Sequence, residues 1–144
     1  MFLHQVARVP PIVASPETTV LQAVRIMAEN DVGAIIVTDS LGKAVGIFTE
    51  RDNMLRVTLK GLDPKDTLLK SVMTSHVKTA APEMSAESAL ERMVRSKHRH
   101  LPVLDHSGRV MGVVSIRQLL MKRLDEQKSD IETLEAYVTA GGPG

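Results

Sequence analysis

An α+β fold built twice as β-α-β-β-α is what the 144 residues predict, and three observations predict it. The first is a duplication. Displaced by 66 positions, residues 14–57 align with 80–123 without a gap, and ten pairs are identical, among them Pro16/Pro82, Met27/Met93, Asp39/Asp105, Gly46/Gly112 and Arg51/Arg117. Average composition would give about three matches over such a span, so the halves are repeats of one unit. The second observation is that each half carries a helix-period apolar stripe followed by two short β-rich runs. The third is the link between those runs, Asp39–Gly42 and Asp105–Gly108, each an Asp-start, Gly-end hairpin turn.

The elements follow in order. A short extended lead-in (Ile12–Ala14; Val77–Ala80) reaches a Pro-Glu pair that starts a helix. Val20, Ala23, Val24 and Met27 recur at i, i+3, i+4, i+7, and Ala86, Ala89, Leu90, Met93 and Val94 repeat the stripe, so one face of each helix is buried. Thr18 or Thr19, and Ser85, are the expected N-caps. The strands are Ala34–Thr38 with Ala44–Phe48, and Leu101–Leu104 with Val110–Val114. A second helix opens at Thr49 and at Ser115. In the linker, Asp63-Pro64 is suited to start a short helix running through Val72. The expected division is repeat one at 1–57, linker at 58–66, repeat two at 67–124, and a C-terminal helix and tail at 125–144. After the polar stretch Asp125–Asp130, residues Ile131, Leu134 and Val138 form a one-sided stripe. So short a helix is marginal alone in water, and it is expected to dock on its own core or on a second chain, with 140–144 frayed.

Composition removes several function classes. A net charge of +1 gives no general attraction to nucleic acid or anionic lipid. One tyrosine and two phenylalanines are too few for a base-stacking platform. The absence of cysteine removes disulfides and thiolate chemistry. No run approaches a transmembrane span and the start lacks a signal-peptide core, so a cytoplasmic location is the default expectation.

The copies differ where chemistry could be done. Gly46–Asp52 ends a strand, turns and opens a helix with Thr49-x-x-Asp52, whereas copy two has Ser115-x-x-Gln118. Both serve as capping boxes. A carboxylate, unlike an amide, can also accept from two neighbouring ribose hydroxyls at once, and the helix start beside it offers free amides to a phosphate. Ahead of Leu101-Pro102-Val103 stands Lys97-His98-Arg99-His100, where copy one has Asp31-Val32-Gly33-Ala34. A solvated charged face is one reading of that run, and a metal site using His98, His100 and His106 another. No cysteine is available as a ligand and Asp105 is an ordinary turn residue, however, and Arg grips phosphate oxygens bidentately, so phosphate binding by Arg99, assisted by His100 and Lys97, fits best.

The duplication, the Gly-h-h-Thr-x-x-Asp segment at 46–52 and the basic run before Leu-Pro-Val together resemble a tandem pair of cystathionine β-synthase (CBS) domains, a Bateman module, over residues 1 to about 124. The resemblance implies pseudo-twofold packing with two clefts and ligands containing adenosine: AMP, ADP, ATP, or in some members NAD(H) or S-adenosylmethionine. It implies Asp52 on the ribose, Thr49 on the phosphate, and Arg99 and His100 of the other repeat completing the phosphate contacts. Val77, Lys78 and Thr79 would border the adenine. The family's His-Arg order is reversed here to Arg99-His100, with His98 ahead as a further candidate. One competent site per chain is therefore expected, with the opposite cleft (Ser115, Gln118, Gly33, Ala34) weak or idle.

A regulatory module acting on a protein target in trans, or through a homodimer that the Ile131 stripe could reinforce, is the leading function. A structural or oligomerisation module without ligand is the alternative. No Gly-x-Ser-x-Gly, P-loop or activated nucleophile supports an enzyme.

Overall fold

A computed structural model describes residues 1–139; the expected fraying at 140–144 lies outside them. Strand β1 (Val13–Ala14) pairs parallel with β2 (Ala34–Thr38), which pairs antiparallel with β3 (Ala44–Thr49). Helix α1 (Val20–Glu29) lies between β1 and β2 in sequence. It begins at Thr19, whose hydroxyl accepts from Gln22 N at 3.2 Å while its own N–H donates to Gln22 Oε1 at 3.0 Å. After β3 comes a short helix α2 (Glu50–Asp52), which widens into a π-helical turn over Asn53–Thr58. Copy two repeats this plan as α4 (Ala86–Ser96), β4 (His100–Leu104), β5 (Val110–Ser115) and α5 (Ile116–Thr139), with Ser85 capping α4. Its lead-in makes a single parallel bridge, Ala80 to Val103, at the place where β1 holds Ala14 against Val37.

The hairpin turns form as the Asp/Gly pattern requires. Asp39 Oδ1 accepts from Leu41 N and Lys43 N at 2.9 and 3.0 Å, and Asp105 Oδ1 from Ser107 N and Arg109 N at the same distances. Gly42 and Gly108 close them at φ +81° and +85°, a region that disfavours side chains. The Ser107 hydroxyl first, then the backbone amides, hold the Asp105 carboxyl below the usual range.

Each repeat has its own core, but neither core is one stretch of sequence. Val20, Ala23, Met27, Ile35, Val37 and Phe48 pack with Leu69 and Val72, which follow the linker. Leu101, Val103, Met93 and Val114 pack with Leu3, from the far end of the chain. The lead-ins are exchanged: Leu3 N donates to Met84 O and Arg8 N to Val113 O, while Leu69 N donates to Thr18 O and Ile47 N to Thr74 O.

That exchange explains a departure from expectation. The helix expected from Asp63-Pro64 through Val72 is confined to α3, Leu69–Val72. Residues 67–68 stay extended because Val20 N donates to Thr67 O and Leu68 bridges Thr19. The C-terminal stripe also departs. Asp125–Asp130 does not interrupt the helix; α5 runs unbroken for 24 residues, and Ile131, Leu134 and Val138 are 56%, 65% and 75% exposed. They do not dock on their own core.

The pseudo-twofold axis is marked at one end by equivalent residues that meet. Lys43 bridges Arg109, its own counterpart, and Val110 N donates to Gly42 O. At the other end, a side chain on Gly33 would begin 3.5 Å from His100 Cε1 and 3.4 Å from the Glu50 carboxylate.

Candidate functional site

Thr49 is the N-cap of α2: its hydroxyl accepts from Asp52 N at 3.1 Å, and its N–H donates to Asp52 Oδ2 at 3.1 Å. The buried Asp52 carboxylate also accepts from the Thr74 hydroxyl at 3.3 Å and lies 3.7 Å from Arg56 Nε. Arg56 is held in turn by Val72 O and Met73 O. Ser115 and Gln118 form the same reciprocal cap on α5, at 2.8 and 3.1 Å. Both copies therefore use the motif for helix capping.

A cavity of about 780 Å³ lies between the repeats, within the size range of small-molecule sites. Ser115 to Gln118 form one wall and Asp31 to Ala34 another, with Arg8, Glu50, Asn53, Arg99 and His100 completing it. Arg99 and His100 are thus brought together with Ser115, Gln118, Gly33 and Ala34, the residues expected to form an idle cleft. Thr49, Asp52, Val77, Lys78, Thr79 and His98 do not line this cavity. The cause is the position of the basic run at the axis, where Arg99 O accepts from Ile116 N at 2.8 Å and His100 pairs with Ser115. A difference between the copies marks these residues but does not say which wall of a cavity they complete.

The cavity is electrostatically mixed. Arg8, Arg99 and Arg117 contribute cationic groups, and Asp31 and Glu50 carboxylates. Burial first, then the Arg99 charge, pushes the His100 imidazole below its ordinary value, so it is neutral at neutral pH and can accept as well as donate. The N-terminus of the long helix α5 opens on the same space, with its positive dipole end. Sequence reasoning missed Arg8 and Arg117. Arg8 had a signal: it faces Thr74 in the other copy, the same cation-for-neutral contrast that singled out Arg99.

His98 is exposed, as are Arg99 and Lys78, whereas Val77 and Thr79 are half-buried, with Thr79 O accepting from Arg92. His106 lies 3.5 Å from Glu83 Oε1, and among the described residues no three metal-ligating side chains gather. Among those residues no helix is long and apolar enough to cross a membrane.

The CBS domain family model matches residues 3–52 and 69–125. The chain is a tandem CBS domain pair. Among relatives, it is 38% identical over 109 residues to the meiotically up-regulated gene 70 protein of Schizosaccharomyces pombe, covering 76% of this chain but 15% of that protein. It is 33% identical over 123 residues to an uncharacterized 17.7 kDa protein of Acidianus ambivalens, covering 85% and 73%. A protein with CBS domains from Burkholderia ambifaria superposes with TM-score 0.80 at 30% identity, over 88% of this CBS pair and 96% of that chain. A CBS protein from Pyrobaculum aerophilum complexed with AMP matches at TM-score 0.75 and 27% identity, over 82% and 89%. The CBS pair of protein MJ0100, in complex with 5′-methylthioadenosine and S-adenosyl-L-methionine, matches at 0.74 and 25%, over 89% and 98%.

Proposed function

We propose that this CBS pair is a regulatory module that binds an adenosine-containing ligand in the cavity between its repeats. The observation that carries this reading is the convergence of Arg8, Arg99 and Arg117 with the α5 N-terminus on one space of ligand size. Relatives of the same fold are complexed with AMP, 5′-methylthioadenosine and S-adenosyl-L-methionine, which supports the ligand class. The anionic end of the ligand sits on Arg99 and its two companions. The nucleoside lies along Ile12, Val24 and Met27, which give that part of the cavity apolar walls.

The Asp52 side is the less favoured location, because its carboxylate is already engaged by Thr49, Thr74 and Arg56. A ribose there would have to displace formed hydrogen bonds. The ligand's effect on a target, or on self-association, is limited to its differential affinity for the two arrangements of the repeats.

Thermal melting with AMP, ATP, 5′-methylthioadenosine and S-adenosylmethionine tests the reading. A ligand at 100 times its dissociation constant adds about 2.7 kcal/mol. Arg99→Ala should reduce that gain for AMP and leave adenosine nearly unaffected. No stabilisation by any of the four compounds would leave a purely structural role.

A further inference from the structure

Helix α5 runs out from the second repeat with an apolar seam that is left largely exposed. Leu120, Leu124, Ile131, Leu134 and Val138 are 46–75% exposed. With Gln127 they follow a 4-3-4-3-4 spacing, the heptad seam of a coiled coil, with Leu124, Ile131 and Val138 at a and Leu120, Gln127 and Leu134 at d. A solitary helix with such a seam is poorly stable in water, and α5 beyond Leu119 buries no residue.

The flanking charges decide the occupant. In a parallel pair, Arg123 would stand beside the partner's Lys128 and Asp130 beside the partner's Glu135, two like-charge contacts on each side. An antiparallel pair with Leu120 on the partner's Val138 sets Lys128 against the partner's Lys128. Shifting by a heptad toward the body would run residues 132–139 over residues 112–119 of the partner, where Gly112, Val114 and Leu119 are buried. The opposite shift meets none of these obstacles and covers the outer seam, Ile131, Leu134 and Val138, leaving Leu120 and Leu124 outside the paired stretch. Ile131 packs on the partner's Leu134, Gln127 on the partner's Val138, and Lys128 falls beside the partner's Glu135. Lys128 reaches only a loose contact of 4.0 Å with Glu132 in its own helix, so it is available.

We infer that the outer half of α5 pairs antiparallel with the same segment of a second copy of this chain, in the register that joins Lys128 to the partner's Glu135. This is independent of the ligand reading. The contact is isologous and closes on itself as a dimer.

The chain has no cysteine, so single labelling sites are clean. Spin labels at Lys122→Cys and at Ala136→Cys point away from the seam. In the inferred register the two 122 sites are offset by about 30 Å along the axis and the two 136 sites by about 10 Å. The expected result is a dimer in sedimentation whose 122–122 distance is clearly the longer. Equal distances, or a longer one at 136, would overturn the inference, as would a monomer. In the same chain, Lys128→Glu should weaken the dimer about fivefold, and adding Glu135→Lys should restore it. A dimer strengthened by Lys128→Glu, or indifferent to Ile131→Asp with Leu134→Asp, contradicts the pairing. Both seam residues are exposed, so an unchanged melting curve of the body separates lost pairing from lost folding.

Discussion

Asp52 carries a buried carboxylate with donors around it from Thr49, Thr74 and Arg56. Replacing it by Ala leaves those groups unpaired, and we expect a loss of about 1–3 kcal/mol in denaturant unfolding. Gln118→Ala removes one cap contact and should cost about 1 kcal/mol. Ligand binding should respond the other way: Asp52→Ala keeps the AMP-induced melting shift in a destabilised protein, and Arg99→Ala loses it in a protein of near-native stability. His100 gives a pH signature. Its folded value is depressed by burial and by Arg99, so between that value and about 6.5 the unfolded chain binds more protons. Its contribution is intact above pH 6.5 and is lost as pH falls. Melting temperature measured from pH 8 to 5 should therefore decline more steeply in the native chain than in His100→Gln.

At the level of elements, the exchanged lead-ins make two glycines unequal. A Cβ on Gly112 would lie 2.9 Å from Arg8 O, which is backbone, whereas one on Gly46 would overlap the thioether of the Met73 side chain. A flexible thioether can move and a bridged backbone cannot. Gly112→Ala should thus be the more destabilising in chemical denaturation, and Met73→Ala should relieve much of the cost of Gly46→Ala. Leu3 is fully buried in the second repeat's core, so Leu3→Ala should cost about 2–5 kcal/mol and raise hydrogen exchange in β4 and β5 although it lies near residue 1. Helix stripes, strands and Asp/Gly turns were legible because each is written in local spacing. The exchange was visible only as Phe2, Leu3 and Val6 matching Leu68, Leu69 and Val72 in register, and register does not say which core a segment joins. The truncated helix at 63–72 and the unbroken α5 escaped for a related reason. Tertiary hydrogen bonds to Thr67 overruled a good helix start, and a polar stretch on an exposed helix has no core to interrupt it.

For the whole molecule, duplication produces an axis, and what stands on the axis belongs to neither repeat alone. Lys43 with Arg109 marks one end, and Gly33 with His100 the other. The basic run was legible in the sequence as a charge contrast between the copies, but the cavity it lines was not, because comparing the copies says which residues differ and not which wall each completes. The account therefore rests on an occupied cavity walled by Ser115–Gln118, with the Asp52 cap intact. Amide hydrogen exchange with and without saturating AMP measures this most directly. The expected result is new protection at residues 8–12, 31–34, 99–100 and 115–118, with 49–52 and 74–79 unchanged. Protection confined to 49–52 and 74–79 would contradict it.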